Sequence, residues 1–320
     1  MRLLLLGKNG QVGWELQRSL AVLGDMIALD RRSQEYCGDL NELDGLAATV
    51  RAVQPDVIVN AAAFTSVDAA ETEEMTAQKI NALAPRVLAE EALACGALLI
   101  HYSTDYVFDG TGERPWREAD AIGPLNVYGQ SKLAGERAIL ETGCRALIFR
   151  TSWVYSARGG NFATTMLRLG RERDQLSVIA DQVGAPTGAD LIADVTSHCI
   201  ALVTRGEGFI AREDGQAAMS GIYHLAAGGE TSWHGYATFI FDLAREAGVA
   251  LKVGSGLETG PRSGTGGVQP ISTAEYASPA KRPLNSRLDT TKLQKHFGLK
   301  LPHWQKGVAR MIAKKLEPHQ

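Results

Sequence analysis

The sequence lacks the marks of a secreted, membrane-spanning or nucleic-acid-binding protein. Four cysteines stand in 320 residues, at positions 37, 95, 144 and 199, and no two form a C-x-x-C pair. That scatter removes the common zinc and dithiol signatures, argues against a disulfide framework and favours a reducing compartment. No stretch approaches the ~18 uninterrupted apolar residues of a membrane helix. The opening Met1-Arg2-Leu3-Leu4-Leu5-Leu6 stops at Gly7, too early for a signal-peptide core. Charge of one sign is also missing: 33 Lys plus Arg face 36 Asp plus Glu, a formal net charge of -3. Such a balance offers no basic field for nucleic acid or an anionic membrane surface. Internal repeats and heptads are absent, and the histidines show no ligand spacing, so no metal is assigned from them. These exclusions predict a soluble, cytoplasmic globular chain. At 45% hydrophobic residues it can bury a substantial core.

What is present is a strand–helix alternation. Strands are predicted at Leu3–Leu6, Ile27–Asp30, Val57–Val59, Leu98–Ile100 and Ala146–Phe149. Between them run helical patterns at Gln11–Leu23 and Leu43–Val53, then a longer Ala- and Glu-rich stretch up to Gly96 in which Pro85 marks a break or kink. This order predicts an α/β fold, a Rossmann-type doubly wound parallel sheet with right-handed crossovers. Beyond about residue 155 the pattern loosens, with helices expected at Phe162–Arg171, Ala189–Thr204, Tyr236–Ala247 and Gln305–Leu316. Residues 254–267, six of them glycine, read as a surface loop. The expected division is a dinucleotide-binding domain, mainly 1–155, and a smaller substrate-binding domain, mainly 156–320, with interleaved elements.

The first turn carries Gly7-Lys8-Asn9-Gly10-Gln11-Val12-Gly13, a G-x-x-G-x-x-G spacing between a strand and a helix. Glycines there permit the turn and let backbone approach a pyrophosphate at the helix N-terminus. Gly7, Gly10, Gln11, Val12 and Gly13 are therefore candidate cofactor contacts. Asp30 closes the second strand and suits a ribose hydroxyl, which favours NADH. The adjacent Arg31 and Arg32 suit the 2′-phosphate of NADPH, so the choice between NADPH and NADH stays open. Asp39 and Leu40 are placed beside the adenine, against the alternative of a helix cap. The small side chains of Asn60-Ala61-Ala62-Ala63 leave room for a flat ligand over the sheet edge.

Tyr128 and Lys132 stand four apart on a helical stretch and so share a face. An ammonium near a phenol favours the phenolate, which would bring the tyrosine toward the working range for proton transfer. Thr104, in Ser103-Thr104-Asp105 at the end of the fourth strand, is placed to hold a carbonyl oxygen. Together with the glycine turn, these residues resemble the extended short-chain dehydrogenase/reductase superfamily and its Ser/Thr-Tyr-Lys triad. Residues Tyr102–Phe108, Pro124–Gly129, Arg150–Tyr155, Asp181–Thr187 and Arg282–Ser286 narrow the likeness to the dTDP-4-dehydrorhamnose reductase family, from Met1 to about Trp304.

The resemblance implies hydride transfer to the 4-keto carbon of dTDP-4-dehydro-β-L-rhamnose, giving a rhamnose donor for lipopolysaccharide or another glycan. In that scheme Tyr128 is the general acid. Lys132 lowers its pKa and binds the nicotinamide ribose, and Thr104 polarises the carbonyl. Asp105 and Trp153 meet the sugar, while Ala63, Phe64, Thr65 and Tyr102 meet the cofactor. Phe64 departs from a position that is commonly polar in the family. Arg282 and Arg287 are read either as grips on the substrate diphosphate or as solvated surface residues. Some family members form a dimer held by Mg²⁺ on three glutamates. The matching positions here are Glu15, Asp190 and Lys292, so a Mg²⁺-bridged homodimer is doubtful, and Lys292 is expected instead to bridge the two carboxylates. Two other readings remain. One is a nucleotide-sugar epimerase of the same superfamily, and the other a non-catalytic NADP-binding regulatory subunit.

Overall fold

In the computed structural model, residues 1–205, 220–255 and 267–317 are described. The predicted surface loop at 254–267 falls almost entirely outside them. The chain begins with β1 (Arg2–Leu6), α1 (Gln11–Leu20), β2 (Asp25–Leu29), α2 (Leu43–Val53) and β3 (Val57–Asn60). It continues through α3 (Ala84–Cys95), β4 (Leu98–Thr104), α4 (Val127–Thr142) and β5 (Ala146–Thr151). Next come α5 (Phe162–Glu172), α6 (Ala189–Arg205), β6 (Gly221–His224), α7 (Trp233–Glu246), α8 (Thr291–Phe297) and α9 (Trp304–Leu316). The six strands form one parallel sheet in the order β6-β5-β4-β3-β1-β2.

Strand alternation builds two cores from one sheet. Leu3, Leu5, Val57, Val59 and Ile100 face α1 and α6. Leu4, Leu6, Ile58, Leu99 and Ile148 face α2, α3 and α4. A third cluster gathers α5, α7 and α9 through Met166, Leu167, Ile240, Phe241, Val308 and Ile312. Two elements from the second half of the chain serve the first: α6 covers one face of the sheet, and β6 pairs with β5.

Several boundaries differ from the sequence reading. Helix α1 stops at Leu20, and Leu23 instead closes a turn through its N–H to the Leu20 carbonyl. The Ala- and Glu-rich stretch is one continuous path: a helix at Glu74–Gln78, a π-helical turn at Lys79–Leu83, then α3. Pro85 falls where the π-helical turn passes into α3, and the helical path continues through it without a break. The wide turn just before it carries the buried Asn81, which matters for the site. No described helix is long and apolar enough to cross a membrane.

Candidate active site

In this strand order the chain reverses between β1 and β3, and the crevice at the carboxyl ends there is where open α/β sheets bind ligands. Gly7 takes φ +86°, and a Cβ on it would lie 2.7 Å from the Ala62 nitrogen. On Gly13 a Cβ would overlap the Gly7 carbonyl oxygen. The turn therefore closes only with glycine at both places. Gly10 is the N-cap of α1, and no side chain caps that helix. Its first N–H groups are left for an anion, as a dinucleotide pyrophosphate requires.

The neighbouring candidates divide by what already holds them. Gln11 accepts from Ser156 Oγ at 3.2 Å and Asn161 Nδ2 at 3.1 Å, tying the turn to the loop before α5. Val12 packs into the core shared with α6. Asp30 accepts from Asn9, from the Arg32 N–H at 2.9 Å and from Ser33 Oγ at 3.2 Å. Those bonds, the Arg32 N–H foremost, hold its carboxyl below the ordinary range, so it is ionised at neutral pH. Arg31 and Arg32 are exposed beside it. Asp39 is no helix cap: its carboxylate takes the Asn41 N–H at 2.9 Å within a turn, and Glu42 precedes α2. Leu40 is buried in the core.

Ala63 and Phe64 are half-buried and Thr65 is exposed, in the loop after β3. Sequence reading missed what fixes that loop. Asn81 accepts from the Phe64 N–H at 2.9 Å, donates to the Phe64 carbonyl at 3.0 Å and donates to Ser131 Oγ at 3.0 Å. One buried amide thus joins the cofactor loop to α4. A Cβ at Gly135 would overlap the Asn81 carbonyl oxygen, which brings α4 close. The motif K-I-N-A-L-A-P gave no separate signal for this role. Tyr102 points to the other face of the sheet, where its hydroxyl lies 2.8 Å from Thr196 Oγ1 on α6.

At the end of β4 the structure brings Thr104, Asp105 and Tyr128 together. Asn126 caps α4, accepting from the Gly129 N–H at 2.8 Å, and so sets the angle at which Tyr128 leaves the helix. Thr104 Oγ1 donates to Asp105 Oδ1 at 3.2 Å and accepts from the Tyr106 N–H at 3.2 Å. Burial pushes the Tyr128 phenol up to about 12, while a hydrogen bond with Thr104 opposes the shift and the Asp105 charge adds to it. Asp105 is raised to about 7 by burial, against hydrogen bonds from Ser286 and Thr104. Its Oδ2, with Ser103 Oγ, Thr151 Oγ1 and Ser152 Oγ, is a buried polar atom without a protein partner. Four such atoms at the ends of β4 and β5 are an unmet demand for hydrogen bonds.

Lys132 corrects the expectation of a lowered Tyr128. Its amine lies 3.3 Å from His101 Nε2 on β4, and burial brings it down to about 8, with Glu136 acting the other way. The desolvation of the phenol outweighs any help from the lysine in the ligand-free site. A raised phenol is still protonated at neutral pH, the form a proton donor needs.

Trp153 holds φ +49°, an uncommon conformation for a large side chain that costs about 1–3 kcal/mol. Its ring stacks on Trp233 with centroids 3.6 Å apart, and a Cβ at Gly184 would lie 2.9 Å from it. Arg282 is not a free cation: it donates to Asp68 Oδ2 at 2.8 Å, clasping the segment after β3 to the 280s loop. Arg287 donates to Glu230 at 2.7 Å and Asn285 at 3.2 Å. The Lys292 bridge is also corrected. Lys292 donates to the Ile222 carbonyl at 2.6 Å and lies 4.5 Å from the Tyr223 ring. Glu15 and Asp190 do share a cavity, but their cations are Arg18, 3.6 Å from Glu15, and Arg310, paired with Asp190. The three positions do not converge, and Asp190 already has a counter-ion. This side-chain set does not fit a Mg²⁺ ion.

Residues 1–317 match the family described as RmlD substrate binding domain. A dTDP-4-dehydrorhamnose reductase of Shigella flexneri is 52% identical over 312 residues, spanning 98% of this chain and 97% of that one. The dTDP-4-dehydrorhamnose reductase of Clostridium acetobutylicum superposes with a TM-score of 0.83 at 31% identity, covering 98% of this chain and 99% of the other. That of Bacillus anthracis, solved in complex with NADP, superposes at 0.81 with 32% identity and the same coverage.

Proposed function

The chain belongs to the RmlD substrate binding domain family, and from that premise we propose that it uses NADPH or NADH to reduce the 4-keto group of dTDP-4-dehydro-β-L-rhamnose, giving dTDP-β-L-rhamnose. The observation that carries this is the placement of Thr104, at the end of β4, and Tyr128, in the first turn of α4, at the same sheet edge as the glycine cradle. The cradle fits a dinucleotide, because Gly7 and Gly13 leave no room for a side chain and α1 has no side-chain cap. When bound there, the nicotinamide supplies a hydride.

The chain's own residues do the rest. Reduction places negative charge on the former carbonyl oxygen, so donors aimed at that oxygen favour the transition state. Tyr128 gives its hydroxyl proton to this oxygen. Thr104 turns its hydroxyl from Asp105 toward the carbonyl, and Asp105 and Trp153 form the wall for the sugar. Lys132 takes the nicotinamide ribose hydroxyls. Arg282 meets the diphosphate from a position fixed by Asp68.

Tyr128→Phe tests the assignment. It keeps the ring against Tyr106, whose centroid lies 5.7 Å away, and deletes only the proton donor. Turnover falls about 10²–10⁴-fold while NADPH binding persists. Unchanged turnover rejects Tyr128 as the acid.

A further inference from the structure

Behind Lys132 runs a buried chain of polar groups that the hydride transfer itself does not use. The Ala62 N–H donates to Asn60 Oδ1 at 3.2 Å. Asn60 Nδ2 lies 3.2 Å from His101 Nδ1, and His101 Nε2 lies 3.3 Å from Lys132 Nζ. Asn60, His101 and Lys132 are each at most 2% exposed.

The direction of every bond follows from the backbone end. A peptide N–H only donates, so the oxygen of Asn60 faces Ala62 and its NH₂ faces His101. That NH₂ also only donates, so His101 Nδ1 has to accept. An imidazolium and the Nδ1–H tautomer are both ruled out, since each would set two donors against each other. The ring is neutral, in line with the burial that holds its pKa well below normal. Its proton is therefore on Nε2 and points at Lys132. An ammonium has three donors and no acceptor, whereas an uncharged amine has a lone pair for that N–H.

The surrounding groups do not reverse this. On α4 itself, Glu136 binds Arg150 of β5 through both oxygens, at 2.9 and 2.6 Å, and Tyr128 is a protonated phenol. The turn at 105–107 offers Asp105, raised to about 7, and the buried Tyr106, also raised. Residues 79–83 present the neutral Asn81, bonded to Ser131. On α3, Arg86 and Glu90 pair with each other at the surface, and Asp68 of the short helix at Val67–Ala70 pairs with Arg282.

We propose that His101 is a positioning residue that favours the uncharged amine of Lys132 in the free protein, and that in alkaline solution cofactor binding is coupled to uptake of up to one proton at Lys132. The inference rests on the reading of Lys132 as the nicotinamide-ribose ligand. Ribose hydroxyl oxygens accept from an ammonium, and the cofactor's phosphates add negative charge, so both favour the charged form. The lysine then takes a proton from solvent, R–NH₂ becoming R–NH₃⁺. Lys132 thus holds the charge that assists Tyr128 more firmly once cofactor is in place.

Calorimetric titration of the whole protein with NADPH, in buffers of different ionisation enthalpy, counts protons taken up. The titration is run at about pH 8.5, where the 2′-phosphate is fully ionised and contributes none. Uptake approaching one proton per bound NADPH is expected for the native chain. His101→Gln keeps an acceptor toward Asn60 and an N–H toward Lys132, so it retains the uptake. His101→Glu offers acceptors to both neighbours, stabilises the ammonium in the free protein and reduces the uptake toward zero. NADPH binding with no proton uptake by the native chain overturns the inference by itself, whatever the variants do. Absence of NADPH binding overturns the functional reading, and the inference with it.

Discussion

Replacing Glu136 by Gln removes one charge from an ion pair sealed inside the protein. Glu136 and Arg150 are both 1% exposed, joined by bonds of 2.9 and 2.6 Å, with the guanidinium 5.0 Å from the Phe108 ring centre. Arg150 Nη1 is already without a partner. A neutral amide at 136 leaves a buried guanidinium with no counter-charge, a loss of about 3–5 kcal/mol. Such a loss is a large share of the ~5–15 kcal/mol that separates folded from unfolded proteins. The surface pair Arg86–Glu90 supplies the control. Its side chains are 58% and 52% exposed, and Glu90→Gln costs under about 1 kcal/mol. Urea unfolding followed by circular dichroism reads both variants. Pairing Glu136→Leu with Arg150→Met should recover most of the loss, because removing both charges leaves neither stranded. A Glu136→Gln cost no larger than that of Glu90→Gln would mean that burial adds nothing to the Glu136–Arg150 pair.

Two further substitutions probe the cradle and the sugar wall. Gly13→Ala drives a methyl into the Gly7 carbonyl, opens the turn and weakens NADPH binding at least about tenfold, measured by nucleotide fluorescence. Asp105 has its carboxyl raised from 3.8 to about 7, so between these values the folded chain holds a proton that the unfolded chain releases. The residue costs no stability below about pH 4 and a growing amount as pH climbs through 7. Asp105→Asn therefore leaves stability unchanged at low pH and raises it by up to about 4 kcal/mol at pH 8, read from melting curves at both pH values.

The parts of this protein that were legible in the sequence are those whose signals are local. The glycines at 7, 10 and 13 lie within seven residues between a strand and a helix, so their signal is local, although the Ala62 backbone that Gly7 meets is not. Tyr128 and Lys132 share a face because four residues make about one helical turn. The short strand Gly221–His224 was not legible, since only Ile222 and Tyr223 in it are apolar and its partner β5 lies some seventy residues earlier. Nor was the clasp between Arg282 and Asp68, which are 214 residues apart. Asn81 and His101 escaped for a different reason. Each is a single polar residue in an apolar run, and only the fold shows which donor and acceptor it must satisfy. Lys292 misled because the family pattern placed it beside Glu15 and Asp190, whereas α8 carries it to the carbonyl edge of β6. Tyr128 and Lys132 lie four apart on α4, but the electrostatic consequence of that spacing depends on burial, which spacing alone does not report.

Hydride transfer consumes one reduced nicotinamide for each ketone reduced, and a single assay counts both. Purified protein is mixed with dTDP-4-dehydro-β-L-rhamnose and excess NADPH, and the loss of nicotinamide absorbance is compared with dTDP-β-L-rhamnose formed. One NADPH is expected to be oxidised for each sugar reduced. Conversion of the sugar with no net loss of NADPH contradicts it and points to an epimerase. NADPH binding without any conversion contradicts it as well, and leaves a protein that binds the cofactor without using it.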